Sequence, residues 1–67
     1  MDISKKLKEL RTELGLTQEQ VAQKIGVSRV NYTRYENGKV RPNYESLLLI
    51  VDFYEISLDE LFGRTNF

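Results

Sequence analysis

Sixty-seven residues make at most one domain, so no second, ligand-sensing one is expected, and a chain this short buries a self-sufficient core only marginally. With no cysteine and no histidine it has no disulfide staple, no thiolate or imidazole metal ligand and no histidine general base. Ten basic and ten acidic side chains cancel but are unevenly placed: residues 1–41 hold nine basic against five acidic, and residues 42–67 hold Arg64 against five acidic, so the first part attracts anions and the second repels them.

Ile3, Leu7, Leu10 and Leu14 fall on one stripe of an amphipathic helix, which Gly15 can close. Thr17-Gln18-Glu19-Gln20 fits a capping box, in which the threonine and the second glutamine satisfy each other's free backbone amides. It opens a second helix carrying Val21, Ala22 and Ile25, and Gly26 stops that helix because glycine adopts positive φ cheaply. Ser28 is a ready N-cap for a third helix running to about Glu36. Asn37-Gly38 is a turn dipeptide, and Lys39-Val40-Arg41-Pro42 is a short basic loop, since no helix continues into a proline. Asn43 caps a fourth helix over Tyr44, Leu47, Leu48, Ile50, Val51 and Tyr54, and Ser57-Leu58-Asp59-Glu60 opens a short fifth. Beyond Gly63 a loose tail is expected. No segment alternates with a period of two, so the expected fold is an all-α, compact five-helix bundle.

Function concentrates between Gln18 and Asn37. Two helices crossing steeply through a short turn need a small residue where their backbones meet, a turn glycine, and apolar residues locking both to the core. Ala22, Gly26 and the set Val21, Ile25, Val27, Tyr32 and Tyr35 supply these. Together with LGLTQEQVAQKIGVSRVNYTRYENGK, then RPNYESL and ISLDELF, the chain closely resembles the phage-repressor and Cro-type (XRE) helix-turn-helix regulators over nearly its whole length. The resemblance implies a lambda-repressor-like domain with a helix-turn-helix core at 18–37 and a recognition helix at about 28–36.

At 100° per residue, Tyr32 and Tyr35 share one side of the third helix, while Asn37, Val30, Thr33 and Arg34 gather opposite, with Arg29 at the edge. The two tyrosines are expected in the core with their hydroxyls reaching outward. Arg29 and Arg34 suit guanine O6 and N7, and Val30 and the Thr33 methyl suit a thymine methyl, so these four are the expected base readers. Phosphate contacts are expected from the amide end of the second helix and from Gln18, Ser28, Asn31, Asn37, Lys39 and Arg41. The resemblance further implies an ion pair, at least partly buried, between Arg11 and Glu36.

At Leu49 and Phe53 the family pattern is usually polar, whereas here both are apolar and four apart on one helix face. With Phe62 or Phe67 they are expected to form a homodimer contact on the acidic half, the alternative being a larger core covered by the tail. The implied partner is a double-stranded DNA operator bound by a homodimer, with room for an unseen protein partner such as a toxin or anti-repressor. The chain is expected to need no cofactor or metal. An interaction module that kept this fold without binding DNA is a rival reading, but its third helix would carry acidic side chains rather than Arg29, Thr33 and Arg34. An enzyme has no nucleophile–base set here. There is no signal-peptide core, and the apolar run Leu47 to Val51 is too short for a bilayer, so a cytoplasmic location with no membrane contact is expected.

Overall fold

The computed structural model describes residues 3–63, so the expected tail beyond Gly63, with Phe67, lies outside the described residues. Within them are five helices and no strand: α1 (Ser4–Glu13), α2 (Gln18–Ile25), α3 (Arg29–Glu36), α4 (Tyr44–Tyr54) and α5 (Leu58–Leu61). Their ends follow local chemistry. Thr17 accepts from the Gln20 amide at 3.1 Å while the Gln20 side chain accepts from the Thr17 amide at 2.8 Å, which closes the capping box of α2. Ser28, Asn43 and Ser57 each accept from the amide three residues on, capping α3, α4 and α5. Gly26 stops α2 at φ 75°, and a Cβ there would touch nothing, so its requirement is backbone conformation and not space.

The packing centre consists of Leu7, Val21, Ile25, Tyr32, Ile50 and Leu61, with Ile3, Ala22, Tyr35 and Val51 completing the core. α3 lies against both α1 and α2, and α4 bridges α2 to α5. Arg11 ties α1 to the turn before α2 and to α3: its Nη1 donates to the Leu16 carbonyl at 2.9 Å, fixing that turn, and its Nε and Nη2 reach Glu36.

Three expectations about burial are corrected. Leu14 is exposed, because α1 ends at Glu13 and the turn at Gly15 carries the chain away from the stripe; Leu16 packs on the core after the turn. On α4, Tyr44 and Leu48 are exposed, and Ser46 is buried in their stead. The inward arc of that helix is Ser46, Leu47, Ile50, Val51 and Tyr54, with Phe53 at its margin packed against the core. Finally, the Tyr32 hydroxyl does not reach outward: the whole side chain is inaccessible to solvent.

Candidate nucleic-acid interface

α3 is amphipathic in a way its composition hides. Tyr32, Tyr35 and Glu36 are buried, Thr33 is half-buried, and Arg29, Val30, Asn31 and Arg34 are exposed. Val30 is 62% exposed although it is β-branched and apolar, so the core of the described residues does not use it. The rings of Tyr32 and Tyr35 meet edge to face at 6.3 Å, which keeps both turned inward and fixes the rotation of α3 about its axis. The opposite face therefore presents two guanidinium groups and a branched apolar side chain. That combination fits the major-groove edge of base pairs, where guanine offers paired acceptors and thymine a methyl group.

Gln18, the first residue of α2, ties the two helices together at the edge of this face. Its Nε2 donates to Glu36 Oε1 at 3.2 Å, and its Oε1 accepts from the Thr33 hydroxyl at 2.9 Å. One N–H of its amide is left for a phosphate. Sequence spacing gave no sign of this network, because the partners are 15 and 18 residues apart and meet only through the packing of α2 on α3. Arg29 borders the same shallow depression as Gln18 and Thr17, at the amide end of α2.

The remaining anchor candidates frame the reading face. The Ser28 oxygen accepts from the Asn31 amide at 3.1 Å as the α3 cap, and its own proton stays available to an acceptor. Asn37 is the C-cap residue of α3, and the Lys39 amide donates back to the Arg34 carbonyl at 2.9 Å. This folds the 37–41 loop against the end of α3, leaving Asn37, Lys39 and Arg41 exposed around it. Arg41 also lines a cavity with Ile3, Tyr35, Val40, Pro42, Leu47 and Phe62.

Beneath the reading face lies the ion pair. Arg11 Nε stands 2.7 Å from Glu36 Oε2, with the Glu36 side chain only 2% exposed and Arg11 14%. Burial by itself would raise the Glu36 carboxyl, but donors from Arg11, the Tyr32 hydroxyl and Gln18 outweigh it and hold the group below the usual carboxylate range. The Glu36 carboxylate, in turn, raises Arg11. The Tyr32 and Tyr54 hydroxyls are buried together beside the Glu36 carboxylate, in no short hydrogen bond, and burial, joined for Tyr32 by the interaction with Glu36, pushes both phenols up.

The chain matches a family model described as a helix-turn-helix over residues 7–61. It belongs to the helix-turn-helix family. The phage-repressor likeness extends to curated relatives. The cryptic phage CTXphi transcriptional repressor RstR of Vibrio cholerae is 44% identical over 64 residues, covering 96% of this chain and 57% of that protein. The HTH-type transcriptional activator BcrR of Enterococcus faecalis is 46% identical over 61 residues, covering 91% and 30%. The HTH-type transcriptional regulator ImmR of Bacillus subtilis is 34% identical over 64 residues, covering 96% and 50%. This chain thus spans between 30% and 57% of the length of these three relatives. All three are named as transcription regulators and none as an enzyme.

The helix-turn-helix itself is α2, the turn at Gly26 to Ser28, and α3. Of the residues assigned to a dimer contact, Leu49 is 48% exposed beside Leu48 on the outer side of α4. Phe53 and Phe62 are half-buried: Phe53 meets the Tyr54 ring edge to face at 4.9 Å, and Phe62 lines the cavity with Ile3 and Tyr35. Leu48 and Leu49 share a hollow rimmed by Glu45, Asp52 and Glu55. Among the described residues no helix is long and apolar enough to cross a membrane, and no cluster of acidic side chains could hold a metal ion.

Proposed function

We propose that this chain is a sequence-specific, double-stranded-DNA-binding transcription regulator, a repressor that inserts α3 into the major groove of a palindromic operator and binds it as a homodimer. The observation that carries the reading is the rotation of α3: Tyr32, Tyr35 and Glu36 are held inside, so Arg29, Val30 and Arg34 are exposed and have no side-chain partner among the described residues. Thr33 completes the reading set, and Gln18, Ser28, Asn31, Asn37, Lys39 and Arg41 act as phosphate anchors around it.

A single reading helix covers little DNA, which is the reason for a two-fold pair with half-sites about 34–36 Å apart. The exposed Leu49 on the acidic half offers an apolar surface remote in sequence from the basic reading helix, with Phe53 one turn on in the same helix and packed partly on the core. Occupancy would exclude RNA polymerase sterically, in the cytoplasm, with no effector pocket required. A toxin or anti-repressor binding the same chain would release the operator by competition. The relatives named as repressor and activator support regulation in both directions, and the phage repressor favours the first. Selection from a random duplex pool with purified protein tests the reading: a two-fold consensus is expected, and recovery of no duplex at low ionic strength refutes it.

A further inference from the structure

We infer that Thr33 offers the operator only hydrogen-bond acceptors and a methyl group, because Gln18, oriented by Glu36, takes its hydroxyl proton. The base read by Thr33 is then one that bears an amino group in the major groove, adenine or cytosine. This rests on the DNA-binding role proposed above and fixes the polarity of one position on the reading face.

Arg11 contacts both oxygens of Glu36, at 2.7 and 3.0 Å, and the carboxyl sits below its ordinary range, so it is ionised near neutral pH and can only accept. The Gln18 amide must therefore turn its NH₂ toward Glu36, at 3.2 Å, which places Oε1 at 2.9 Å from the Thr33 hydroxyl. An amide oxygen carries no proton, so Thr33 must donate. Its single proton is then committed, and only lone pairs remain for an outside partner.

A threonine on an exposed helix face ordinarily pairs with either donors or acceptors, which makes it a poor discriminator. Here the choice is removed. Adenine N6 and cytosine N4 are the major-groove donors, whereas guanine O6 and N7 and thymine O4 are acceptors that would meet a lone pair with a lone pair. An A·T pair also carries the thymine methyl, against which the Thr33 methyl can pack. Gln18 and Glu36 are positioning residues in this scheme, and Thr33 is the contact.

The test uses the duplex selected by the parent protein. Each adenine under α3 is replaced by purine, which lacks the 6-amino group, and each cytosine by 2-pyrimidinone, which lacks the 4-amino group. The parent is expected to lose about fivefold in affinity at one position, the worth of one hydrogen bond. Thr33→Val, which keeps a methyl but has no hydroxyl, is expected to be indifferent to the same replacement. Gln18→Met frees the Thr33 proton, so its preference between the amino-bearing base and an acceptor base is expected to fall toward unity, whatever its affinity for all duplexes does. Full sensitivity in Thr33→Val, a Thr33-dependent preference for guanine or thymine, or an unchanged preference in Gln18→Met overturns the inference while the DNA-binding reading stands. A parent that selects no duplex overturns both.

Discussion

Arg11 grips Glu36 with two nitrogens, Nε at 2.7 Å from one carboxylate oxygen and Nη2 at 3.0 Å from the other, and gives its third to the Leu16 carbonyl at 2.9 Å. One side chain thus satisfies a buried carboxylate at the end of α3 and an orphan carbonyl in the turn before α2. The pair is shielded on the Glu36 side, at 2% exposure, so removing the arginine leaves a desolvated charge with only the neutral donors of Gln18 and Tyr32 beside it. Arg11→Ala is expected to destabilise the domain by about 3 kcal/mol, the lower end for a broken buried pair, because Arg11 itself keeps some contact with solvent. In a domain of this size that lowers the melting temperature by on the order of 10 °C or more. Thermal unfolding followed by circular dichroism measures it, and a melting temperature equal to the parent's contradicts the role.

The same pair sets an acid limit. Glu36 is held below its ordinary value of 4.5 in the folded state, so the folded protein binds its proton less readily than the unfolded chain. The contribution is therefore fully present above about pH 4.5 and is lost as pH falls through the lower folded value. Arg11, raised above its ordinary value by Glu36, stays charged throughout that range. Urea midpoints recorded between neutral pH and pH 3 should fall more steeply for the parent than for Glu36→Gln. Parallel curves would show that the carboxyl carries no such linkage.

Much of the architecture was legible because punctuation and pattern agree. Thr17, Ser28, Asn43 and Ser57 are caps by residue type, and Gly15, Gly26 and Gly38 take the positive φ that ends a helix or makes a turn. The face of α4 was harder to read, since Leu47 to Val51 is apolar throughout and gives no contrast between its sides. The sequence does not mark the end of that helix with glycine either: Glu55 adopts φ 55° as its C-cap, a left-handed conformation ordinary side chains resist. At the candidate site, the periodicity of α3 separates the tyrosines from Arg29, Val30 and Arg34. Partners such as Gln18, Thr33 and Glu36 depend on tertiary approach and leave no local signature.

Readers and anchors should separate in their response to salt and sequence. Arg34 is exposed on the face of α3 opposite the buried tyrosines, whereas Lys39 lies in the loop that folds against the helix end. Arg34→Ala is expected to relax preference at one base pair by roughly 1–3 kcal/mol. Lys39→Ala is expected to weaken all duplexes alike and lower the salt dependence by about one phosphate contact. Titrations of selected and scrambled duplexes across a range of salt concentrations make the comparison. Indistinguishable variants would dissolve the division.

Tyr32 provides a second stability prediction from the same cluster. Its ring fills the centre of the core, and its hydroxyl faces the Glu36 carboxylate, which it helps to hold ionised. Tyr32→Phe keeps the ring but takes a donor from a buried carboxylate, so it should destabilise the domain by roughly 1 kcal/mol. Denaturant unfolding with an unchanged m-value checks this. A higher midpoint would mean that the hydroxyl contributes no favourable interaction to the folded state.

The dimer proposal now rests chiefly on Leu49. Phe53 and Phe62 pack partly against the core, so charging either would disturb the monomer and could not distinguish loss of association from loss of structure. Leu49 is 48% exposed on the outer side of α4, within a hollow rimmed by Glu45, Asp52 and Glu55. A glutamate there would be solvated in the monomer but desolvated in a two-fold interface, facing an acidic rim and its own copy. Leu49→Glu should therefore retain the parent's helical signal while sedimenting at half the parent's mass. Its affinity for a palindromic duplex should fall further than for a single half-site, because only the former uses both reading helices. A parent that already sediments as a monomer at micromolar concentration and on its operator, or a Leu49→Glu protein with undiminished mass, would remove this face from the interface.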